Sequence, residues 1–257
     1  VSRCVASSLW LLSDEERGAG TRHKADTQEK HALANMKCFH STELGARTPP
    51  SSLPFPPDVV GTWSCRGFSS TSKKVNQDRG IVCRPVGDSA RIALFAVFDG
   101  HGPSGHEVSE YVAEMLPKLL DAHAALESDP ACALREVIID VDDRLSNAGV
   151  DSEHSGTTAV VCLVRSEAEG ADCIYAANVG DSRAVLGTHT RRLLKKVPKA
   201  QALTVDQKAD AEEERRRVER AGGFVSPAGE DGPARVWHDS QMIPPGERTA
   251  PGMGSEA

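Results

Sequence analysis

The sequence predicts an α+β domain, and the order of its periodic segments carries that prediction. One apolar, β-rich strand at 92–98 is followed by two successive amphipathic helices, a pattern that makes no βαβ unit. Short β-rich runs then return at 157–164, 172–178 and 182–186. With 257 residues the chain can bury one sizeable core.

Taken in order, residues 1–57 read as a disordered extension and linker. Charges, serines and small residues mix there, and the proline-rich stretch 48–57 closes the segment. The chain begins with Val1, and Met36 is its first methionine. Residues 5–12 are apolar but too few to span a bilayer, and Asp14-Glu15-Glu16 follows them, which makes a poor secretory signal. The folded domain is expected over 58–246, with 247–257 as an unrelated tail.

The run Ile92-Ala93-Leu94-Phe95-Ala96-Val97-Phe98 has the character of a strand buried on both faces. Residues 103–126 carry Val108, Val112, Met115, Leu116, Leu119 and Leu120 at helical spacing, with Pro117 expected to break or kink the helix. Leu134, Val137, Ile138, Val141 and Leu145 mark the second helix, capped by Asp129, opened by Pro130 and stopped by Gly149. Val179-Gly180-Asp181 reads as a tight connection between two antiparallel strands. Residues 208–221 form a charged helix closed by Gly222-Gly223, its Glu and Arg run being a solvated face.

The junction Asp99-Gly100-His101-Gly102 at the end of the apolar strand holds the chemistry. Aspartate is a hard oxygen ligand suited to Mg²⁺ or Mn²⁺, and the two glycines allow a sharp turn that brings a carbonyl near whatever the carboxylate holds. The same residues spell Gly100-x-Gly102-x-x-Gly105 after a strand and before a helix, which is the context of a dinucleotide site. Against that reading, Asp99 sets negative charge beside the phosphates, His101 and Pro103 stand where small donor-bearing residues are wanted, and no second strand ending in an acid follows.

Six motifs occur in one order: Asn76-Gln77-Asp78, the junction above, Ser155-Gly156-Thr157-Thr158-Ala159, Ala177-Asn178-Val179-Gly180-Asp181-Ser182-Arg183, Leu203-Thr204-Val205-Asp206 and Arg235-Val236-Trp237. Together, over residues 61–246, they resemble the metal-dependent serine/threonine protein phosphatases of type 2C, the PPM family. That resemblance implies a partial β-sandwich of two antiparallel sheets flanked by helices, incomplete at the C-terminus. It also implies hydrolysis of phosphoserine and phosphothreonine in proteins by a water activated at a site holding two Mg²⁺ or Mn²⁺ ions. By the family's pattern Asp99 bridges the two ions, Gly100 offers its backbone carbonyl, and Asp78 is a second carboxylate of the cluster. His101 matches the histidine that serves as general acid for the leaving oxygen, a task suited to an imidazole. Lys73 falls where some members grip the substrate phosphate with arginine, and Lys74 is an equal claimant; lysine lacks the planar bidentate fork.

Several positions depart from the family's better-known form. Gln77 stands where many members have glutamate. Asp151 and Glu153 read as loop carboxylates facing water, and Asp181 and Arg183 as residues holding a turn. The family continues past Arg235-Val236-Trp237 to two more metal-ligating aspartates. Pro245-Gly246 fits that continuation, but 247–257 does not. The chain is therefore expected to be a truncated product with little or no activity. A non-catalytic phosphatase-like module that binds phosphoproteins is the alternative.

Composition limits the partners. A formal net charge of −7 and a pI near 5.7 argue against nucleic acid or an anionic membrane as the main partner. Seven scattered cysteines suit a reducing compartment, which makes a cytoplasmic or nuclear location the expectation, as a monomer. None has an arginine six residues later, so the phosphate-cradling loop of cysteine-dependent phosphatases is missing, and no Cys-x-x-Cys suggests structural zinc.

Overall fold

The computed structural model describes residues 8–11, 36–40, 60–65, 74–88, 91–166, 172–192, 195–229 and 232–238. They divide into two compact units, Val1–Thr204 and Val205–Ala257. In chain order the first unit contains β1 (Ser8–Leu11), β2 (Met36–His40), β3 (Val60–Trp63), β4 (Arg79–Arg84), β5 (Ile92–Phe98) and β6 (Gly100–His101). Helices α1 (Gly105–Asp121) and α2 (Pro130–Leu145) follow, then β7 (Gly156–Thr157), β8 (Ala159–Arg165), β9 (Cys173–Val179), β10 (Val185–Arg192) and β11 (Lys195–Ala202).

The centre is a five-stranded sheet of order β2-β4-β5-β8-β9. Every pairing in it is antiparallel except β2 with β4, which is parallel. Because side chains alternate across a strand, β5 serves two cores at once. Ile92, Leu94, Ala96 and Phe98 join the large cluster that includes Leu116, Leu120, Val137 and Val141 of the helices. Ala93 and Phe95 join a smaller cluster with Val82 and Val164, against which Val60 of β3 packs. The reading of this strand as buried on both faces holds for six of its seven residues, only Val97 being partly exposed.

Helix α1 turns Val108, Val112, Leu116 and Leu120 into the core at i,i+4 spacing. Pro117 does not break it. The residue is buried and the helix runs on to Asp121, with only the i→i−4 bond that its missing amide would make to the Ala113 carbonyl absent. Helix α2 opens as its sequence dictates: Asp129 accepts a hydrogen bond from the Cys132 amide at 3.0 Å and Pro130 starts the first turn.

Three features differ from the sequence reading. Strands β1 and β2 lie inside residues 1–57, where Ser8–Leu11 pairs with β3 and Met36–His40 with β4. The run 157–164 is split at Thr158 into β7 and β8. Val179-Gly180-Asp181 does not join two paired strands. Gly180 takes φ +86°, and a side chain on it would come within 2.9 Å of Thr158 Cγ2, so the chain leaves the sheet there. Strand β10 instead pairs with β11, a strand that lacks apolar alternation and contains Pro198.

The second unit holds α3 (Glu212–Arg220) and the antiparallel pair β12 (Phe224–Ser226) and β13 (Arg235–Trp237). Gly222, at φ +87°, and Gly223, whose amide donates to the Val218 carbonyl, close the helix. Its arginines and glutamates pair with one another, Arg216 with Glu212 at 2.6 Å among them, as the solvated-face reading requires. No helix among the described residues is long and apolar enough to cross a membrane.

Candidate functional site

Register builds the site. Strand β4 pairs antiparallel with β5 so that Arg79 stands opposite Phe98. Asp78, one residue before the first, and Asp99, one residue after the second, therefore meet at the same end of the sheet. Their carboxyls hydrogen-bond to each other, and Asp99 is pushed up from its ordinary 3.8 to about 6. Partial desolvation at the strand end is the largest cause, although the residue still reaches solvent, followed by the charge and hydrogen bond of Asp78 and then by the charge of Asp181. Asp181, read from sequence as a turn residue, thus belongs electrostatically to this cluster. Its only sequence signal was its place in the Val-Gly-Asp-Ser-Arg motif.

The surrounding motifs hold Asp99 and Asp78 in place. The Asp99 amide donates to Thr158 Oγ1 at 3.0 Å, while the Thr158 amide donates to the Asp99 carbonyl at 2.9 Å. Thr158 Oγ1 also lies 2.6 Å from Ser182 Oγ, which links the Ser-Gly-Thr-Thr-Ala segment to the Asp181 loop. On the other side the Asp78 amide donates to Asn76 Oδ1 at 3.1 Å, and Asn76 Nδ2 donates to Ser64 Oγ at 2.9 Å. Arg79 donates to the Asn76 and Asp78 carbonyls and pairs with Glu110 of α1.

Gln77 is a latch. Its Nε2 donates to the Gly102 carbonyl at 2.7 Å, and its own carbonyl accepts from Ser109 Oγ at 2.6 Å. An ionised glutamate, which has no donor, could not make the first bond. Gly100 has to be glycine for room: a Cβ there would sit 2.3 Å from the Gly105 carbonyl oxygen and 2.6 Å from that of Gln77. Gly102 has φ +85° and backs onto His154 and Ser155. The three glycines thus serve close packing of Gln77, Gly105 and Ser155. Together with the antiparallel neighbours of β5, this overturns the dinucleotide reading, which requires a parallel sheet and a glycine loop open to a pyrophosphate.

His101 is the exposed residue of the two-residue strand β6, which pairs with β7 and whose Gly100 is buried. Its ring covers Gly156, where a Cβ would come within 2.7 Å of Nε2. Asp151 is exposed and bonded to His154, and Glu153 is exposed, as expected of loop carboxylates. Lys74 is exposed. Lys73 lies outside the described residues.

The donors present are hard oxygens: two carboxylates in contact and a backbone carbonyl at Gly100, with a third carboxylate adding its charge. That chemistry fits a divalent cation such as Mg²⁺ or Mn²⁺, which would relieve the repulsion that raises Asp99. Among the described residues no three His, Cys, Asp or Glu side chains stand together at ligating spacing.

A family model described as protein phosphatase 2C matches residues 61–235. Probable protein phosphatase 2C 35 of Arabidopsis thaliana is 36% identical over 169 residues, covering 65% of this chain and 46% of the relative. Probable protein phosphatase 2C 41 of the same plant is 34% identical over 231 residues, covering 82% of this chain and 59% of the relative. The chain spans about half the length of the curated relatives it matches. Among solved structures, a serine-threonine phosphatase 2C from Toxoplasma gondii superposes with a TM-score of 0.52 at 21% identity, covering 63% of this chain and 56% of that one; the likeness is one of fold.

Proposed function

This chain belongs to the protein phosphatase 2C family, and from that premise we propose that it hydrolyses phosphoserine and phosphothreonine esters in proteins. The observation that carries the reading is the contact of Asp78 with Asp99 at the sheet end, with Asp181 close enough to raise Asp99 further. Asp99, Asp78 and the Gly100 carbonyl would hold divalent Mg²⁺ or Mn²⁺. Such ions, when bound, lower the pKa of a water and offset charge on the phosphoryl oxygens.

The remaining work falls to the chain's own groups. Thr158 and Asn76 fix the backbones of Asp99 and Asp78, so both carboxylates are oriented before substrate arrives. His101, next to Gly100 and exposed, supplies the proton to the serine or threonine oxygen as the phosphorus–oxygen bond breaks. Lys73 and Lys74 are the cations available to the incoming phosphate. The substrates are phosphorylated proteins, acted on by a monomer in the cytoplasm or nucleus.

The test is phosphate release from a phosphothreonine peptide by the purified chain with Mn²⁺. Release that disappears on chelation and in the Asp99→Asn variant supports the reading. Peptide binding without release would favour a non-catalytic, phosphoprotein-binding module instead.

A further inference from the structure

The two aspartates that meet at the sheet end are held by relays of the same form. The Asp78 amide donates to Asn76 Oδ1 at 3.1 Å, and Asn76 Nδ2 donates in turn to Ser64 Oγ at 2.9 Å. The Asp99 amide donates to Thr158 Oγ1 at 3.0 Å, and that oxygen lies 2.6 Å from Ser182 Oγ. Each relay therefore ends on a serine hydroxyl, two hydrogen bonds from the backbone of its aspartate. The two serines come from distant parts of the chain, Ser64 just after β3 and Ser182 just after β9.

Each serine settles a conformation of the residue it touches. The asparagine side-chain amide has a donor end and an acceptor end, so tying Nδ2 to Ser64 leaves Oδ1 for Asp78. Ser64 is 2% exposed, which keeps water from competing for that bond. Thr158 is β-branched and stiff at χ1, and both of its branches are engaged by one short segment. Its methyl lies against Gly180, where a Cβ would sit 2.9 Å from Cγ2, and its hydroxyl meets Ser182. Between those two stands Asp181, whose charge acts on Asp99. Carboxylates in contact repel one another, so the backbones beneath them have to be held from outside.

We propose that Ser64 and Ser182 are positioning residues of the cation site, each setting the place of one carboxylate through Asn76 or Thr158. The proposal rests on the reading of Asp78 and Asp99 as ligands of Mg²⁺ or Mn²⁺. Hydrogen-bond partners behind a ligand are worth about 10–100-fold in metal affinity. Cation affinity in this chain thus depends on two hydroxyls that act at one remove from the carboxylates.

The experiment compares the full chain with its Ser64→Ala and Ser182→Ala variants by two measurements. Amide hydrogen exchange, followed by NMR in metal-free buffer, reads each relay separately. Ser182→Ala is expected to speed exchange at the Asp99 amide and leave Asp78 unchanged, and Ser64→Ala to do the reverse. A general loss of structure would instead speed both amides in both variants. Calorimetric titration is expected to show Mn²⁺ bound at least about tenfold more weakly by each variant. Ser182→Thr keeps the hydroxyl and is expected to restore both readouts. Ser182 is half-buried, and its variants decide the Asp99 relay alone should Ser64→Ala fail to fold. Parental exchange rates in the alanine variants, or equal acceleration at the two amides, would overturn the proposal. So would Mn²⁺ affinity equal to the parent's. An unsubstituted chain that binds no Mn²⁺ while the crossed exchange pattern holds counts against the cation reading and leaves the hold of the serines on the two aspartates standing.

Discussion

Strand β5 and strand β10 differ by one residue in length, seven against eight, and are otherwise opposites. Nearly all of β5 is buried, each face in its own apolar cluster. The described side chains of β10 are half-buried or exposed, and among the described residues the strand has a single neighbour. The first is held by packing and ends in the Asp99 site. The second is held by backbone bonds to β11, the two forming a ribbon. In this molecule burial is concentrated where carboxylates must be positioned.

The sharpest way to break that comparison is to empty the core. Phe98→Ala removes a fully buried ring and should cost about 3–5 kcal/mol in urea unfolding. Val197→Ala on the ribbon should stay within about 0.5 kcal/mol. Comparable losses at the two positions would mean that the ribbon is packed after all.

Two smaller changes separate the regions by glycine and by hydrogen bond. Gly100→Ala drives a methyl into two backbone carbonyls and should destabilise by about 1–3 kcal/mol, whereas Gly187→Ala on β10 meets nothing within 4 Å and should be nearly silent. Gln77→Glu sets a carboxylate against the Gly102 carbonyl in place of a donor, with an expected cost of about 1–2 kcal/mol by thermal or chemical unfolding. An unchanged midpoint for that variant would remove the latch from the account.

The pH dependence is the subtlest contrast. Asp99 binds its proton more tightly folded than unfolded, since its carboxyl is raised from 3.8 to about 6. Its contribution to stability is complete below the unfolded value and is lost as the pH rises through about 6. In metal-free buffer the Asp99→Asn variant should therefore gain on its parent in melting temperature between about pH 4 and pH 7, and Mn²⁺ should reverse the trend. A constant difference across that range would mean that Asp99 is not under strain from its neighbours.

The same contrast explains what was legible in the sequence. Strand β5 and helices α1 and α2 announce themselves because burial imposes periodicity, and the Asp129-Pro130 cap is local chemistry. The meeting of Asp78 and Asp99 follows from register, which sequence periodicity leaves unspecified between distant strands; only the ordered motifs hinted at it. The ribbon was half missed, since the described side chains of β11 are exposed and leave no alternation to read. The charge of Asp181 on Asp99 and the bond of the Gln77 amide to the Gly102 carbonyl were not legible for a related reason: both depend on what lies across space. The α+β class and the 2C-type architecture were legible from motif order, whereas the pairing of β2 with β4 inside the expected linker was not.

The most direct measurement of the central claim is a calorimetric titration of Mn²⁺ into the chain and into its Asp78→Asn and Asp99→Asn variants. Saturable binding by the parent, lost or severely weakened in both variants, is the predicted result. Binding that is indifferent to both substitutions would contradict the assignment of those carboxylates as a shared cation site.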